Sequence, residues 1–336
     1  MKLKFVPLAF VLTVVLIFSS CNKKDTNLNF NNPTIHITIN RFEQDLFKSD
    51  FEHLKDSIPF FEKKYGDFFE IFTYKIIAIG GTKNPVFSEY LKGFVTDYSI
   101  NEVYTTVTND FTDLSDLEQD LSFGFSAFLN YFPQVPTPRF YTFISGFNQS
   151  IVTSDSIIGI GLDKYLGLTS SFYQQMNLPL YMRYLMNKER ITSDCLKAWL
   201  NTNFEMIGDK NLLNNMIYQG KITWCMSKLM PEAHDSLLLG IEPNKIKWCK
   251  SNEEKMWTYL VEYKKLYSTD ILTISKFINE GPFTKDFSTE SPAKAAVWIG
   301  YRIVDGFMNR EKNISPDSLM KINDYQEILR KSKYNP

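Results

Sequence analysis

Histidine is scarce in this chain: only His36, His53 and His234 occur in 336 residues. Zinc chemistry on a helix needs two imidazoles one turn apart, on one face. No two of these histidines are four residues apart. Nucleophilic chemistry has no better footing. There is no Gly-x-Ser-x-Gly elbow to expose a serine. There is no glycine-rich loop to cradle a phosphate, since Gly159-Ile160-Gly161 is too short and reads as strand geometry. Carboxylates gather at Asp113, Asp116, Glu118 and Asp120. They open a helical pattern, where acidic groups face water and the positive end of the helix dipole, so they read as a solvated face. Asp163 follows an apolar run, where an Asp could point into a cleft but usually serves as a cap or turn residue. The expected catalytic set is therefore empty, and no metal or cofactor is expected.

Cys21 carries chemistry of a different kind. Lys2 and Lys4 precede an apolar run from Phe5 to Phe18, broken by Pro7 and Thr13 and followed by Ser19-Ser20-Cys21. A basic start, a short apolar stretch and small residues before a cut make the pattern of a signal peptide. The run is short for a membrane span, which takes about 20 residues. The segment resembles the bacterial lipobox, in which the cysteine is diacylated and becomes the first mature residue; Phe18 stands where Leu is usual. Residues 1–20 are thus expected to be a lipoprotein signal peptide and Cys21 the lipid attachment site. Residues 21–33, rich in Asn with Lys23 and Lys24, cannot pack a core and read as a tether. The expected location is the cell envelope, lipid-anchored on the periplasmic side or in the outer membrane. Cys195, Cys225 and Cys249 remain; an odd number closes no disulfide framework, leaving at most one bridge or three buried thiols.

The elements that position these residues follow from pattern. Lys and Arg total 37 against 38 Asp and Glu, with no basic stripe, which argues against a nucleic-acid partner. The 28 Phe and 18 Tyr are read chiefly as core. Thr34-Ile35-His36-Ile37-Thr38-Ile39 alternates as a half-buried strand. A helix with proline in its first turn is expected from Pro59, and another over Asp113–Tyr131, stopped by Pro133. Phe140–Leu162 reads as a small antiparallel meander, with turns at Ser145–Asn148 and Ser154–Ser156. Helices are expected over Phe172–Asn187, Ser193–Phe204, Leu212–Lys228, Glu253–Leu266, Ser291–Asn309 and about Asp317–Arg330. Asp194, Asp209 and Asn252 are candidate N-caps. Strands early and helices late predict an α+β fold: a mainly helical single domain over residues 34–336 with a small antiparallel sheet.

Short motifs in colinear order then carry a family likeness. They include Arg41-Phe42, Phe132-Pro133, Thr142–Phe147, Ile160–Gly167, Met216–Lys221, Leu229-Met230-Pro231 and Asn252–Trp257. Gly281-Pro282-Phe283, Ser291-Pro292, Trp298–Val304 and Ser332–Pro336 complete the set. With the lipobox, the chain resembles the GldB family of gliding motility lipoproteins of Bacteroidetes. That resemblance implies a non-catalytic part in gliding, with envelope or motility proteins as partners; it says nothing of oligomeric state. A second likeness is to a family of predicted zinc peptidases. Val297–Val304 fits their closing helix, and Gln219-Gly220 stands where Glu-Gly would supply a ligand. The expected active helix, Leu178–Asn187, holds no His and no Glu. This likeness implies a zincin-like scaffold without its metal, with Gln219, Gly220 and Tyr301 at a degenerate cleft. The rival class is an envelope hydrolase acting on peptide or glycan through another site.

Overall fold

The computed structural model describes residues 35–336; the expected signal peptide, Cys21 and the tether lie outside the described residues. The alternation at the start is real: Ile37 and Ile39 are buried, while His36, Thr38 and Asn40 are exposed. Regular strand pairing, however, begins only with β1, Ile39–Arg41. The preceding residues dock on a helix, α1, Ser115–Tyr131. The amides of Ile35, Ile37 and Ile39 donate to Ser126 Oγ (3.3 Å), Ser122 Oγ (2.9 Å) and Glu118 Oε1 (2.7 Å). Alternate residues of an extended chain are about 6.7 Å apart and residues four apart on a helix about 6 Å, so the two rows match. Glu118 is thus a docking group, whereas Asp113, Asp116 and Asp120 are exposed.

The sheet holds four strands in the order β1-β2-β4-β3, with β2 at Arg139–Phe143, β3 at Ile151–Ser154 and β4 at Ile157–Gly161. It is mixed rather than antiparallel: β1 and β4 both run parallel to β2, and only β3–β4 is an antiparallel hairpin. The reason lies in the loop after β2. Gly146 and Phe147 both take left-handed backbone, φ +67° and +66°, so the chain swings across the end of β4 instead of folding back on β2. A Cβ on Gly161 would lie 2.1 Å from the Gln149 carbonyl oxygen, so only glycine admits this crossing. β4 is buried along its whole length, as are Phe140–Phe143 of β2, because both central strands are covered on each face. The aromatic content is largely core. The Phe42 ring has five aromatic neighbours at 4.7–6.0 Å, and Tyr141 stacks on Phe68 at 4.4 Å.

Five further helices frame the rest: α2, Ile191–Asn203; α3, Leu212–Leu229; α4, Pro243–Glu262; α5, Ile271–Ile278; and α6, Ala295–Arg310. Together with α1 they bear out a mainly helical α+β fold. Several boundaries differ from expectation. Phe172–Asn187 is two short helices, Ser171–Gln175 and Leu180–Tyr184, because Asn177 adopts φ +53° and Pro179 cannot continue a helix. α4 begins ten residues earlier than expected, with Pro243 in its first turn. Pro59 lies inside the helix Leu54–Tyr65 rather than at its start. The caps differ too: Asn211 accepts from the Asn214 amide, and neither Asp194, Asp209 nor Asn252 takes the N-cap place.

Candidate functional site

Gly220 on α3 meets Gly300 and the Tyr301 amide on α6 at a helix crossing. A Cβ on Gly220 would lie 2.3 Å from the carbonyl carbon and oxygen of Gly300. One on Gly300 would lie 1.8 Å from the Met216 carbonyl oxygen. The two backbones touch, and the space between the helices is filled by main chain. Gln219 is half-buried, and its carbonyl accepts from Thr223 Oγ1 at 2.8 Å. Tyr301 lies 6.2 Å from the Trp298 ring. Burial, with Asp305 and Asp235 nearby, pushes its hydroxyl up to about 12. Next on α3, the buried Lys221 donates to the carbonyls of Met320 (2.9 Å) and Ile322 (2.7 Å). It thereby closes the helix Pro316–Lys321 with a cation at its negative end.

The other chemistry-bearing residues are dispersed. His53 bonds Asp50 at 2.8 Å on the surface, and His234 caps the helix Asp235–Leu239 by accepting from the Ser236 amide. Among the described residues, no three His, Cys, Asp or Glu are placed to share a metal ion. Cys195, Cys225 and Cys249 are free and buried. Burial pushes the Cys225 and Cys249 thiols up to about 12 and raises the Cys195 thiol well above its usual range, so these thiols are poor nucleophiles.

Asp163 is fully buried and ties down the left-handed loop. It accepts from the amides of Phe147 (2.6 Å) and Ser145 (3.1 Å), and Ser145 Oγ lies at 3.2 Å. Burial, opposed by these bonds, pushes its carboxyl from 3.8 up to about 6. The folded state therefore holds the proton more tightly than the unfolded chain between those values. The stability owed to this group falls as pH rises from about 4 to about 6, by something on the order of 2–3 kcal/mol. Asp163→Asn is expected to remove that decline. Urea unfolding at about pH 4 and about pH 7 measures it; an unchanged difference between the two would acquit Asp163.

A small cavity of about 40 Å³ lies between the helix Leu180–Tyr184, the start of α4 and the loop before α6. Tyr181, Tyr184, Gly240, Glu280, Pro282 and Lys294 are among its walls. Lys294 is only 6% exposed, has φ +45° and precedes α6; its ammonium pairs with Glu280. Arg190, 8% exposed, donates from Nη2 to Asp194 (3.1 Å) and from Nη1 to the Leu237 carbonyl (3.4 Å), and its Nε has no partner. Both cations converge on Gly240, where a Cβ would lie 3.1 Å from Lys294 Nζ and 3.2 Å from Arg190 Nη2. On α2, burial, then the Lys294 charge, pushes the Lys197 ammonium down to about 8. The arrangement suits holding an anion. Sequence reading missed it because its charges lie a hundred residues apart, and only Gly281-Pro282 and Ser291-Pro292 marked the region.

The surface carries one dense apolar stretch. Val261, Tyr263, Tyr267, Ile271 and Leu272 are all exposed, the last two by 78% and 73%. The amides of Leu212 and Leu213 bond the carbonyls of Ser268 and Leu266, fastening this turn to the start of α3. Five exposed apolar side chains within twelve residues are a candidate for contact with another molecule.

A family model described as gliding motility protein GldB matches residues 22–336. No curated protein and no solved structure matches the chain.

Proposed function

The chain belongs to the GldB family of gliding motility proteins, and from that membership we propose that it is a lipid-anchored envelope protein supporting motility through protein contacts, without catalysis. The observation that carries this is the family match itself, which takes in nearly the whole chain. The lipobox-like Ser19-Ser20-Cys21 supports the anchor, since acyl chains in a bilayer contribute about 0.8 kcal/mol per buried methylene. The exposed set around Ile271 and Leu272 supports contacts, because apolar and aromatic side chains at a rigid turn form the usual centre of an interface. His53 and His234 have other partners, and the thiols are held protonated by burial.

The test uses a gliding host in which this chain replaces the resident copy. Cys21→Ala is expected to move the protein from the membrane pellet to the soluble fraction. Ile271→Asp with Leu272→Asp is expected to leave the protein in the membrane and folded, each exposed change shifting stability by no more than about 0.5 kcal/mol. It should nevertheless lose co-purifying envelope proteins and slow colony spreading. Retention of the Cys21 variant in the membrane would refute the anchor. Peptide or glycan hydrolysis by the pure protein would refute the non-catalytic reading.

A further inference from the structure

We propose that the cavity between Tyr184, Gly240 and Lys294 seats one carboxylate of an acidic peptide segment on a protein partner, a place that Glu280 fills in the free protein. The proposal rests on the protein-contact reading above and adds the chemistry of one contact.

Charge makes the first argument. Arg190 and Lys294 meet at Gly240, the first paired with Asp194 and the second with Glu280. At the rim, Glu242 and Lys245 cancel, and the Lys245 ammonium is turned to the Glu290 carbonyl at 2.7 Å. Once Glu280 swings out to water, two cations against one carboxylate leave one positive charge in a place sheltered from water. Sheltered charge is costly unless paired. An excess of one matches a monoanion, and a doubly charged phosphate would overshoot it.

Unused donors make the second. An ammonium has three N–H bonds and a guanidinium five. Lys294 is bonded only to Glu280, and Arg190 keeps an idle Nε behind a long Nη1 contact. The missing Cβ of Gly240 lets Lys294 Nζ and Arg190 Nη2 come close together beside its backbone, and Lys294 lines the cavity.

The third argument is that the present occupant can leave. The Glu280 side chain is 51% exposed, while that of Lys294 is 7% exposed. A half-exposed carboxylate gives up little on returning to water, since ion pairs of such exposure contribute little. An incoming carboxylate with aromatic and proline contacts at the mouth could take its place. The cavity holds only a few water-sized volumes. Only the end of a ligand fits, and the remainder must lie outside, across Tyr181 and Pro282. That geometry favours an acidic side chain carried on a peptide over a small molecule enclosed whole.

The test is calorimetric titration of the purified protein at low salt with acetyl-Gly-Glu-Gly-amide. The neutral acetyl-Gly-Gln-Gly-amide and inorganic phosphate serve as comparison probes. Glu280→Gln, a half-exposed and isosteric change, is expected to bind the Glu peptide at least about tenfold tighter than the natural protein, with no binding of the Gln peptide. Lys294→Met is expected to abolish binding; should that variant not fold, the Glu280→Gln comparison still decides. Equal affinity in the natural and Glu280→Gln proteins would overturn the proposal. So would equal binding of the two peptides, or phosphate binding tighter than the Glu peptide. Such a failure removes the carboxylate seat only, because the contact reading is judged separately by co-purification.

Discussion

Gly300→Ala is expected to destabilise the protein by about 3 kcal/mol, the upper end of overpacking penalties. In an open helix the same change would gain up to about 1 kcal/mol, since alanine is the better helix former. Here the new methyl would lie 1.8 Å from the Met216 carbonyl oxygen. A backbone atom cannot swing aside as a side chain can, so α3 and α6 must part, and the clash exceeds the propensity gain. The melting temperature should drop by about 5 °C. Gly220→Ala meets the same crossing from the other side and should behave alike. The double variant should cost less than the sum, because the first methyl already parts the helices. Gly93→Ala supplies the contrast: it lies exposed inside the helix Phe87–Val95 with nothing within 4 Å of the new Cβ, and should stabilise. Thermal unfolding of the four variants checks the set. A Gly300→Ala protein as stable as the natural one would mean that the helices do not touch there.

Arg41→Met is expected to cost about 3–5 kcal/mol, the range for breaking a buried ion pair from one side. Glu43 is 1% exposed, and its carboxylate is held by Arg41 Nε at 2.7 Å and Thr142 Oγ1 at 2.6 Å. Arg41 also donates to the Phe111 carbonyl at 2.6 Å, tying β1 to the chain end of the helix Tyr98–Asp110. Without the guanidinium, a buried carboxylate keeps one hydroxyl for company. Adding Glu43→Gln removes the charge and keeps an acceptor for Thr142, so the double variant should recover a substantial part of the loss. Denaturant unfolding of the two single variants and the double one measures that coupling. A double variant as weak as Arg41→Met would place the loss in the Phe111 contact instead.

What the sequence made legible depended on how local the cause was. α3 was legible within a residue of its ends because an apolar helical pattern fills it, although its cap is Asn211 and not Asp209. The alternation at Ile35–Ile39 told which side chains would be buried, but not that a helix, rather than a strand, would meet the first of those amides. Strand direction was illegible: β2 and β4 are buried on both faces, so their apolar runs carry no record of which neighbour they join. The turn at Ser145–Asn148 was marked by Gly146, yet its course is set by Asp163, sixteen residues beyond Phe147. Gly220 meets the main chain of Gly300 and Tyr301, a contact of two backbones that leaves no cleft between them. The cation pocket had no sequence signature, since Arg190 and Lys294 meet only after α2 and the loop before α6 are both in place.

The entry of the chain into the fold has a mechanical consequence. β1 lies parallel to β2, and the residues just before it are clipped to α1 by amides at every second position. Traction applied at Ile35 along the strand would strain the β1–β2 ladder and the α1 clips together, sliding the segment lengthwise rather than lifting it off one bond at a time. A joint loaded in this way yields at a much higher force than one that unzips. Force reaching Ile35 would thus load this seam in shear.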